Sequence, residues 1–151
     1  MKRRHFLSGA GALAAVAALP ALAAMPSAEV QVFKSRTCNC CAAWVEHLRS
    51  AGFAVRVAEV NSAAVERKRL GMPDRFGSCH TATVAGYVLE GHVPAAEVKR
   101  LLAAKPRAIG LAVPSMPVGA PGMEMGARKD PYQVLLVELT GQASVYASYP
   151  Q

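Results

Sequence analysis

The feature that most constrains the fold of this chain is the alternation of strand-like and helix-like hydrophobic patterns along it. The segments with the pattern of β-strands are residues 29–33, 53–60, 83–89, 134–139 and 144–149. The segments with helical spacing, each followed by a glycine or proline, are residues 42–51, 62–70 and 94–102. The sequence therefore predicts strands and helices in turn, then a long loop and two final strands.

Strands that alternate with helices favour an α/β domain built from βαβ units. The chain has 151 residues, which is enough for one ordinary domain. Its first strand leads directly into a cysteine pair and then a helix, which is where thioredoxin-like proteins carry their redox motif. We therefore expect a thioredoxin-like fold with a central mixed sheet flanked by helices. Residues 140–143 have the composition of a tight turn and predict a C-terminal β-hairpin.

The N-terminus has the three parts of a secretory signal. Basic residues at positions 2–4 precede an Ala-rich apolar run over residues 9–24, and Ala21 and Ala23 form an A-x-A cleavage site. We expect cleavage after Ala23, so residues 1–23 are a signal peptide and residues 24–151 form a single thioredoxin-like metal-binding domain. The apolar run is short and rich in alanine, so no stable membrane insertion is expected after cleavage.

Two routes of export are open. Arg3 and Arg4, followed by Phe6, resemble a twin-arginine signal, which a receptor reads as an address. The Ser or Thr that usually precedes the arginine pair is absent, so the general secretory route also remains open. Both routes predict the periplasm as the location of the mature protein.

The charge of the chain does not indicate a nucleic-acid-binding protein. The formal net charge is +7, and three of the basic residues lie in the predicted signal. The remaining basic residues are dispersed, except for residues 67–69, which we expect on a solvated helix face. No basic stripe with interleaved aromatic residues is present, and export also argues against a nucleic-acid partner.

Cysteine usage gives the strongest indication of function. The four cysteines are Cys38, Cys40, Cys41 and Cys79. An even number in an exported protein normally indicates disulfides. Here three of the four fall within four residues, and adjacent cysteines such as Cys40 and Cys41 rarely bridge each other. The spacing makes a poor disulfide framework and favours another use of sulfur.

The segment around Cys38 contains two overlapping motifs. Cys38 and Cys41 have the C-x-x-C spacing of a redox dithiol, and Cys40 adds a third sulfur between them. A helix N-terminus stabilises thiolates, which are also the form of cysteine that binds metals. Three sulfurs within one turn are typical of a site for a soft ion, and such ligands favour Cu(I), zinc or iron–sulfur centres.

The second segment with potential metal ligands is Cys79 followed by His80. If this pair lay within a strand, the two side chains would point to opposite faces, whereas in a loop both could reach the site. We expect sulfur atoms from the two stretches to converge on one soft cation. His92 is either structural or an outer neighbour of the site, and these alternatives stay open.

His47 lies on the face of the helix that carries Cys40, with Trp44 between them. It is about 10 Å along the axis from Cys40, too far to share one ion. His47 is therefore expected at the surface or on the far side of a multinuclear cluster, and Trp44 in the core or as a shield against water.

The loop over residues 113–126 contains three methionines among prolines and glycines. Its sequence has no helical or strand period that would place them in a core. Thioethers are soft ligands suited to Cu(I), so Met116 and Met123, ahead of Met125, are candidate ligands. Methionine is also common core filler, which is the alternative interpretation.

Four motifs together resemble the CopG family of periplasmic copper-resistance proteins, whose domain is described as domain of unknown function 411. They are residues 38–41, 78–81, 91–94 and the run from 110 to 124. The similarity extends from Val30 to about Ala147. Ser115 and Ala120 depart from the family pattern, where Gly and Ser are expected, and these exchanges affect the geometry of the loop rather than its ligands.

The resemblance implies a thioredoxin-like fold and a thiolate-bridged cluster of several copper ions. It also implies a role in copper tolerance through copper redox cycling. Storage of copper and its transfer to other periplasmic copper-handling proteins are alternatives that the sequence does not separate. By its motifs, the ligands are Cys38, Cys40, Cys41 and Cys79, with His80 as a further ligand.

Three hypotheses follow from the residues. The leading one is a copper-binding protein that holds Cu(I) in a cysteine cluster and has no assigned catalytic residue. The second is a thiol–disulfide oxidoreductase that uses Cys38 and Cys41, for which the third sulfur is superfluous. The third is an iron–sulfur protein, since four cysteines suffice for one cluster. Zinc is a further alternative to copper.

Overall fold

A mixed β-sheet organises residues 28–150, the part of the chain that the structure, a computed structural model, describes. Its strands are β1 (Val30–Lys34), β2 (Val55–Glu59), β3 (His80–Val84), β4 (Tyr87–Glu90), β5 (Ala108–Ala112), β6 (Tyr132–Glu138) and β7 (Ala143–Tyr149). The helices are α1 (Asn39–Ser50), α2 (Ala63–Arg69) and α3 (Ala95–Ala104), with a 3₁₀ turn at Asp74–Phe76. The predicted signal at residues 1–23 lies outside the described residues.

The strand order in the sheet is β2-β1-β3-β4-β5-β6-β7. β1 pairs with β2 and β4 pairs with β5 in parallel, and the other neighbours are antiparallel. The predicted α/β class, the mixed sheet and the C-terminal hairpin of β6 and β7 are confirmed. A βαβ unit followed by ββα is compatible with the thioredoxin-like layout, a label that stays a prediction.

The secondary structure differs from the sequence prediction at two places. The predicted strand over residues 83–89 is instead the hairpin of β3 and β4, because Ala85 and Gly86 both have positive φ angles and form a two-residue turn. Strand β5 is absent from the sequence prediction, and its five residues form a short apolar run. Such a run has no alternation when both faces of a strand are covered, so periodicity does not identify it.

The sheet register brings the chemically interesting segments to one edge. Lys34, the last residue of β1, lies opposite His80, the first residue of β3. The turn after β1 therefore meets the loop before β3. Glu90, the last residue of β4, lies opposite Thr81, and β5 runs parallel to β4 and ends beside it. The segments that follow β4 and β5 consequently leave the sheet at this same edge.

The first helix fixes this edge to the core. Trp44, Val45 and Leu48 of α1 are buried and belong to the same apolar cluster as Val30 and Val32 of β1. Burial of a large side chain of this kind contributes about 2 kcal/mol. The N-terminal turn of α1 is thus held rigidly against the sheet. Within the described residues, no helix has both the length and the apolar character needed to cross a membrane.

We predict that Gly110→Ala strongly destabilises the fold. A Cβ at Gly110 would collide with the carbonyl oxygen of Val88 on β4, at a point where the register of β5 shifts. Relieving this overlap requires a shift of a central strand, with a cost of about 3 kcal/mol. Denaturant unfolding of the purified protein measures the loss.

Gly52→Ala is the matched control. Gly52 also has a positive φ angle, but nothing lies within 4 Å of the position of its Cβ. The control should cost only about 1 kcal/mol, the strain of a left-handed residue. An equal decrease in the free energy of unfolding for the two variants would contradict the steric argument.

Candidate metal centre

The four cysteine sulfurs converge at the edge where β1 ends and β3 begins. The sulfur of Cys79 lies 3.5 Å from that of Cys41 and 3.7 Å from that of Cys40. The sulfurs of Cys38 and Cys40 are 3.5 Å apart, and all four lie within 4.8 Å of one another. The expected convergence of sulfur from two separate stretches of chain is confirmed.

Three of these cysteines belong to the N-terminal turn of α1. The helix begins at Asn39, three residues before the predicted start, with Cys38 as its N-cap residue. The N–H of Cys38 donates to the Ser35 carbonyl, which closes the turn after β1. The first N–H groups of a helix have no partner within it and favour negative charge nearby.

The cysteines are not all in the same chemical state. Cys38 and Cys41 are joined in a disulfide, while Cys40 and Cys79 are free. The copper hypothesis takes all four as thiolates, whereas the oxidoreductase hypothesis takes Cys38 and Cys41 as a redox pair. The disulfide must therefore first be reduced to two thiols, which takes two electrons and two protons. Only then can a metal ion displace the thiol protons and bind Cys38 and Cys41.

The free thiol of Cys79 is a weak acid in this environment. Burial, followed by the neighbouring Cys40, raises the pKa of Cys79 to about 12. The thiol is therefore protonated in the metal-free protein at neutral pH. A metal ion would have to displace this proton, as cysteine ligands require.

Cys79 also belongs to a second group of potential ligands. Its sulfur lies 3.4 Å from Nδ1 of His80 and 3.2 Å from Nε2 of His92. The three donor atoms lie within 4.8 Å of one another. His80 lies beside the Cys79 sulfur because Cys79 precedes β3 rather than lying within it. Metal ligation by His80 stays a prediction.

From the sequence alone, His92 is either structural or an outer neighbour of the site. Its Nδ1 lies 2.8 Å from the Pro121 carbonyl, to which it can only donate. The Nε2 lone pair is then free and faces the sulfur of Cys79. A backbone carbonyl that orients a histidine in this way is typical of metal ligands. The Gly-His-Val-Pro motif was the available signal, but it carries no information on the direction of the ring.

His80 is completely buried between aromatic rings. Its ring centroid lies 4.4 Å from that of Trp44 and 4.9 Å from that of His92. Burial, followed by the proximity of His92, lowers the pKa of His80 to about 3, so the imidazole is neutral. Trp44 is fully buried and donates to the Val93 carbonyl at 2.9 Å, which confirms its predicted place in the core.

His47 belongs to neither group of potential metal ligands and has a structural role. Its Nε2 accepts the N–H of Ala95, the first residue of α3, at 3.0 Å. Burial lowers the pKa of His47, while Glu124 acts in the opposite direction. His47 is therefore a half-buried acceptor at a helix N-terminus rather than the surface histidine that we expected.

The methionine-containing loop passes over the first turn of α1. A Cβ at Gly122 would lie 2.7 Å from the Cys40 carbonyl oxygen, so backbone touches backbone there. Met123 follows directly and is half-buried. Met116 is half-exposed and lines a cavity of about 640 Å³ with Tyr132 and Tyr149. Metal ligation by Met116 and Met123 stays a prediction.

Comparison with solved structures identifies two similar structures. They are named copper resistance protein CopG, form 1 and form 2, and each is 44% identical to this chain with a TM-score of 0.78. The match covers 84% of this chain and 100% of form 1. It covers 82% of this chain and 99% of form 2.

Sequence families give two further matches. Residues 76–123 match the family described as protein of unknown function DUF411. Residues 1–20 match the signal sequence of the twin-arginine translocation pathway, which confirms the predicted export signal. Comparison with curated proteins gives no match.

We predict that acid destabilises the metal-free protein. The pKa values of His47, His80 and His92 are all lowered, mainly because of burial. Unfolding therefore takes up protons as the pH falls below about 6.5. The free energy of unfolding should then decrease with falling pH, with a slope that approaches about 1.4 kcal/mol per pH unit for each histidine. The raised pKa of Glu90 acts in the opposite direction, but for one group only.

Denaturant unfolding at about pH 7.5 and about pH 5.5 measures this effect. His47→Gln is the comparison variant, because it removes one of the three titrating groups and should reduce the difference between the two conditions. Equal stability of the wild type at both pH values would contradict the assignment of buried neutral histidines.

Proposed function

This chain belongs to the CopG family of copper-resistance proteins, and we propose that it is a periplasmic protein that binds copper as Cu(I) through its cysteine thiolates. The observation that carries the proposal is the convergence of four sulfurs within 4.8 Å. The two similar structures are named for copper resistance, and their names support copper as the ion.

The chemistry of the donors favours Cu(I) over harder ions. Four sulfurs lie together, and a neutral imidazole lies beside them. Thiolates and thioethers select soft ions, whereas Mg²⁺ and Ca²⁺ prefer oxygen ligands. Copper tolerance follows if the protein removes free Cu(I) from the periplasm, by storage, redox cycling or transfer to other copper-handling proteins.

We further propose that the site holds more than one copper ion. Cys79 belongs both to the four-sulfur group and to the group with His80 and His92. A thiolate shared in this way can bridge two metal positions. Four thiolates around a single Cu(I) would leave a large negative charge in a partly buried site, and burial of such charge is costly. Sharing the thiolates among several Cu(I) ions reduces that charge.

The proposed ligands extend the predicted set by one residue. They are Cys38, Cys40, Cys41, Cys79, His80, Met116 and Met123, with His92 added on its geometry. His92 is supported by its 3.2 Å distance to the sulfur of Cys79 and by the carbonyl that orients it. Met123 is supported by the contact of its neighbour Gly122 with α1.

The proposed mature protein comprises residues 24–151 as one domain. The twin-arginine signal supports export, and we propose the periplasm as the destination. By this route the chain would fold before export and arrive with its cysteine-bearing segments assembled.

A thiol–disulfide oxidoreductase is the second candidate function. The disulfide between Cys38 and Cys41 favours it, because this is the oxidised form of a C-x-x-C dithiol. The two functions are separated by an insulin-reduction assay on metal-free protein. Turnover supports the oxidoreductase, and an inert protein that binds copper supports the metal site.

We predict that the reduced wild-type protein binds several equivalents of Cu(I). Cys38→Ser combined with Cys41→Ser should lose the multi-ion stoichiometry, because half of the sulfur donors are removed. Titration against a chromophoric Cu(I) chelator measures the stoichiometry, and elemental analysis of natively exported protein distinguishes copper from zinc and iron. Unchanged copper stoichiometry in the double variant would contradict the cluster.

Met123 and Met125 provide a test of thioether ligation. We predict that Met123→Leu weakens Cu(I) binding, because Met123 follows the residue that contacts α1. Met125 is 66% exposed, and Met125→Leu should leave Cu(I) affinity unchanged. Leucine conserves volume, so stability should change little in either variant. Competition titration compares the two, and equal affinities would remove Met123 from the ligand set.

A further inference from the structure

A buried carboxylate lies directly beneath the loop that carries Cys79. Glu90 is the last residue of β4, and its side chain is completely buried. Its Oε1 accepts the backbone N–H of Ser78 at 2.7 Å. Ser78 immediately precedes Cys79, so this bond anchors the backbone at the position from which the Cys79 side chain leaves.

Arg67 of α2 holds the Glu90 carboxylate in place. Its Nη1 lies 3.3 Å from Oε1 of Glu90, and its Nη2 lies 3.2 Å from Oδ1 of Asp74. The guanidinium also packs against Gly77, where a Cβ would lie 2.9 Å from Cζ. The loop from Gly77 to Cys79 therefore rests on the ion pair.

The same loop is held on its other side by the segment after β5. The N–H of Ser115 donates to the Gly77 carbonyl at 3.0 Å, and the Ser78 hydroxyl donates to the Ser115 carbonyl. Ser78 is thus bonded to Glu90 through its backbone N–H and to Ser115 through its hydroxyl. With both contacts in place, Cys79 has little freedom to move relative to α1.

We propose that Glu90 is a positioning residue for the copper site, which holds the Cys79 sulfur within reach of the α1 cysteines and His92. The proposal rests on the proposed function, in which Cys79 binds copper. A buried ion pair is costly to desolvate, and an apolar pair of similar volume would fill the same space. Such a pair would leave the N–H of Ser78 without an acceptor, and the loop would be free to shift.

Two substitutions separate positioning from simple ion pairing. Glu90→Asp keeps the negative charge that pairs with Arg67. It shortens the side chain by one methylene, so the acceptor oxygen moves away from the N–H of Ser78. Glu90→Gln keeps an oxygen at the same reach but removes the charge. If Glu90 positions Cys79, the Asp variant should have a disturbed copper site and the Gln variant should have a site like that of the wild type. A role confined to the ion pair predicts the reverse order.

The copper readout is the Cu(I) affinity of the reduced protein, measured by competition with a chelator. Glu90→Asp should lower it about 10-fold, the usual effect of losing a group that orients a metal ligand. Glu90→Gln should remain close to the wild type. Equal affinities for the wild type and the Asp variant, or a greater loss with Gln, would overturn the proposal.

A second readout needs no copper. In the reduced metal-free protein, the rate at which iodoacetamide alkylates Cys79 relative to Cys40 reports the placement of Cys79. Mass spectrometry of peptides measures this ratio, which should change with Glu90→Asp and stay near the wild-type value with Glu90→Gln. A wild type that binds no Cu(I) would overturn the proposed function, whereas an unaltered ratio in the Asp variant would overturn the positioning role.

Glu97 provides a matched control for the loss of stability. It is also a buried glutamate with an arginine partner, Arg100 at 3.0 Å, and it accepts the hydroxyl of Tyr149 at 2.7 Å. Glu97→Asp should lower the melting temperature without changing copper affinity or the alkylation ratio. Equal effects of Glu97→Asp and Glu90→Asp on the site would show a merely structural role.

Folding of the variants is checked by their melting temperatures. If Glu90→Asp does not fold, Glu90→Asn and Glu90→Gln form the comparison, because both are neutral and they differ only in length. The Asn variant should then change the rate of alkylation of Cys79 relative to Cys40, and the Gln variant should not. Identical ratios for Asn and Gln would overturn the proposal.

Discussion

The antiparallel pairing of β1 with β3 is the constraint on which the candidate metal centre depends. This pairing sets the end of β1 opposite the start of β3, with Lys34 facing His80 across the ladder. The α1 turn follows the first strand and Cys79 precedes the second, so their sulfurs meet. A slip of one residue in this register would turn His80 to the other face of the sheet and carry Cys79 away from α1.

The centre combines soft donors with restricted access of water. Cys41 and His80 are fully buried, and Cys79 is partly so. Burial disfavours charged groups, which keeps His80 neutral and Cys79 protonated until a metal ion displaces the proton. The disulfide adds a redox requirement, because two of the four sulfurs become ligands only after reduction. Availability of the site thus depends on proton and electron transfer together.

Much of the site was accessible from local sequence. The strand before Cys38 and the helix after it were recognisable from periodicity, and three clustered cysteines indicated a use other than disulfides. His92 was not assignable, because its role depends on the Pro121 carbonyl, which lies far along the chain and fixes the direction of the ring. Two further contacts were not predicted, because each also joins residues far apart in the chain. They are the hydrogen bond from the Ala95 N–H to His47 and the buried ion pair of Arg67 with Glu90.

The sequence by itself determined the α/β class, the export signal and the presence of a soft-donor cluster, since these follow from hydrophobic period, composition and the spacing of residues close in the chain. Tertiary structure alone decided which other distant groups meet this cluster and how their side chains are oriented. The missed strand β5 and the split of residues 83–89 into two strands illustrate the limit. Contacts between segments determine whether both faces of a strand are covered, how a hairpin pairs and how an imidazole is oriented. Local sequence patterns do not encode these contacts.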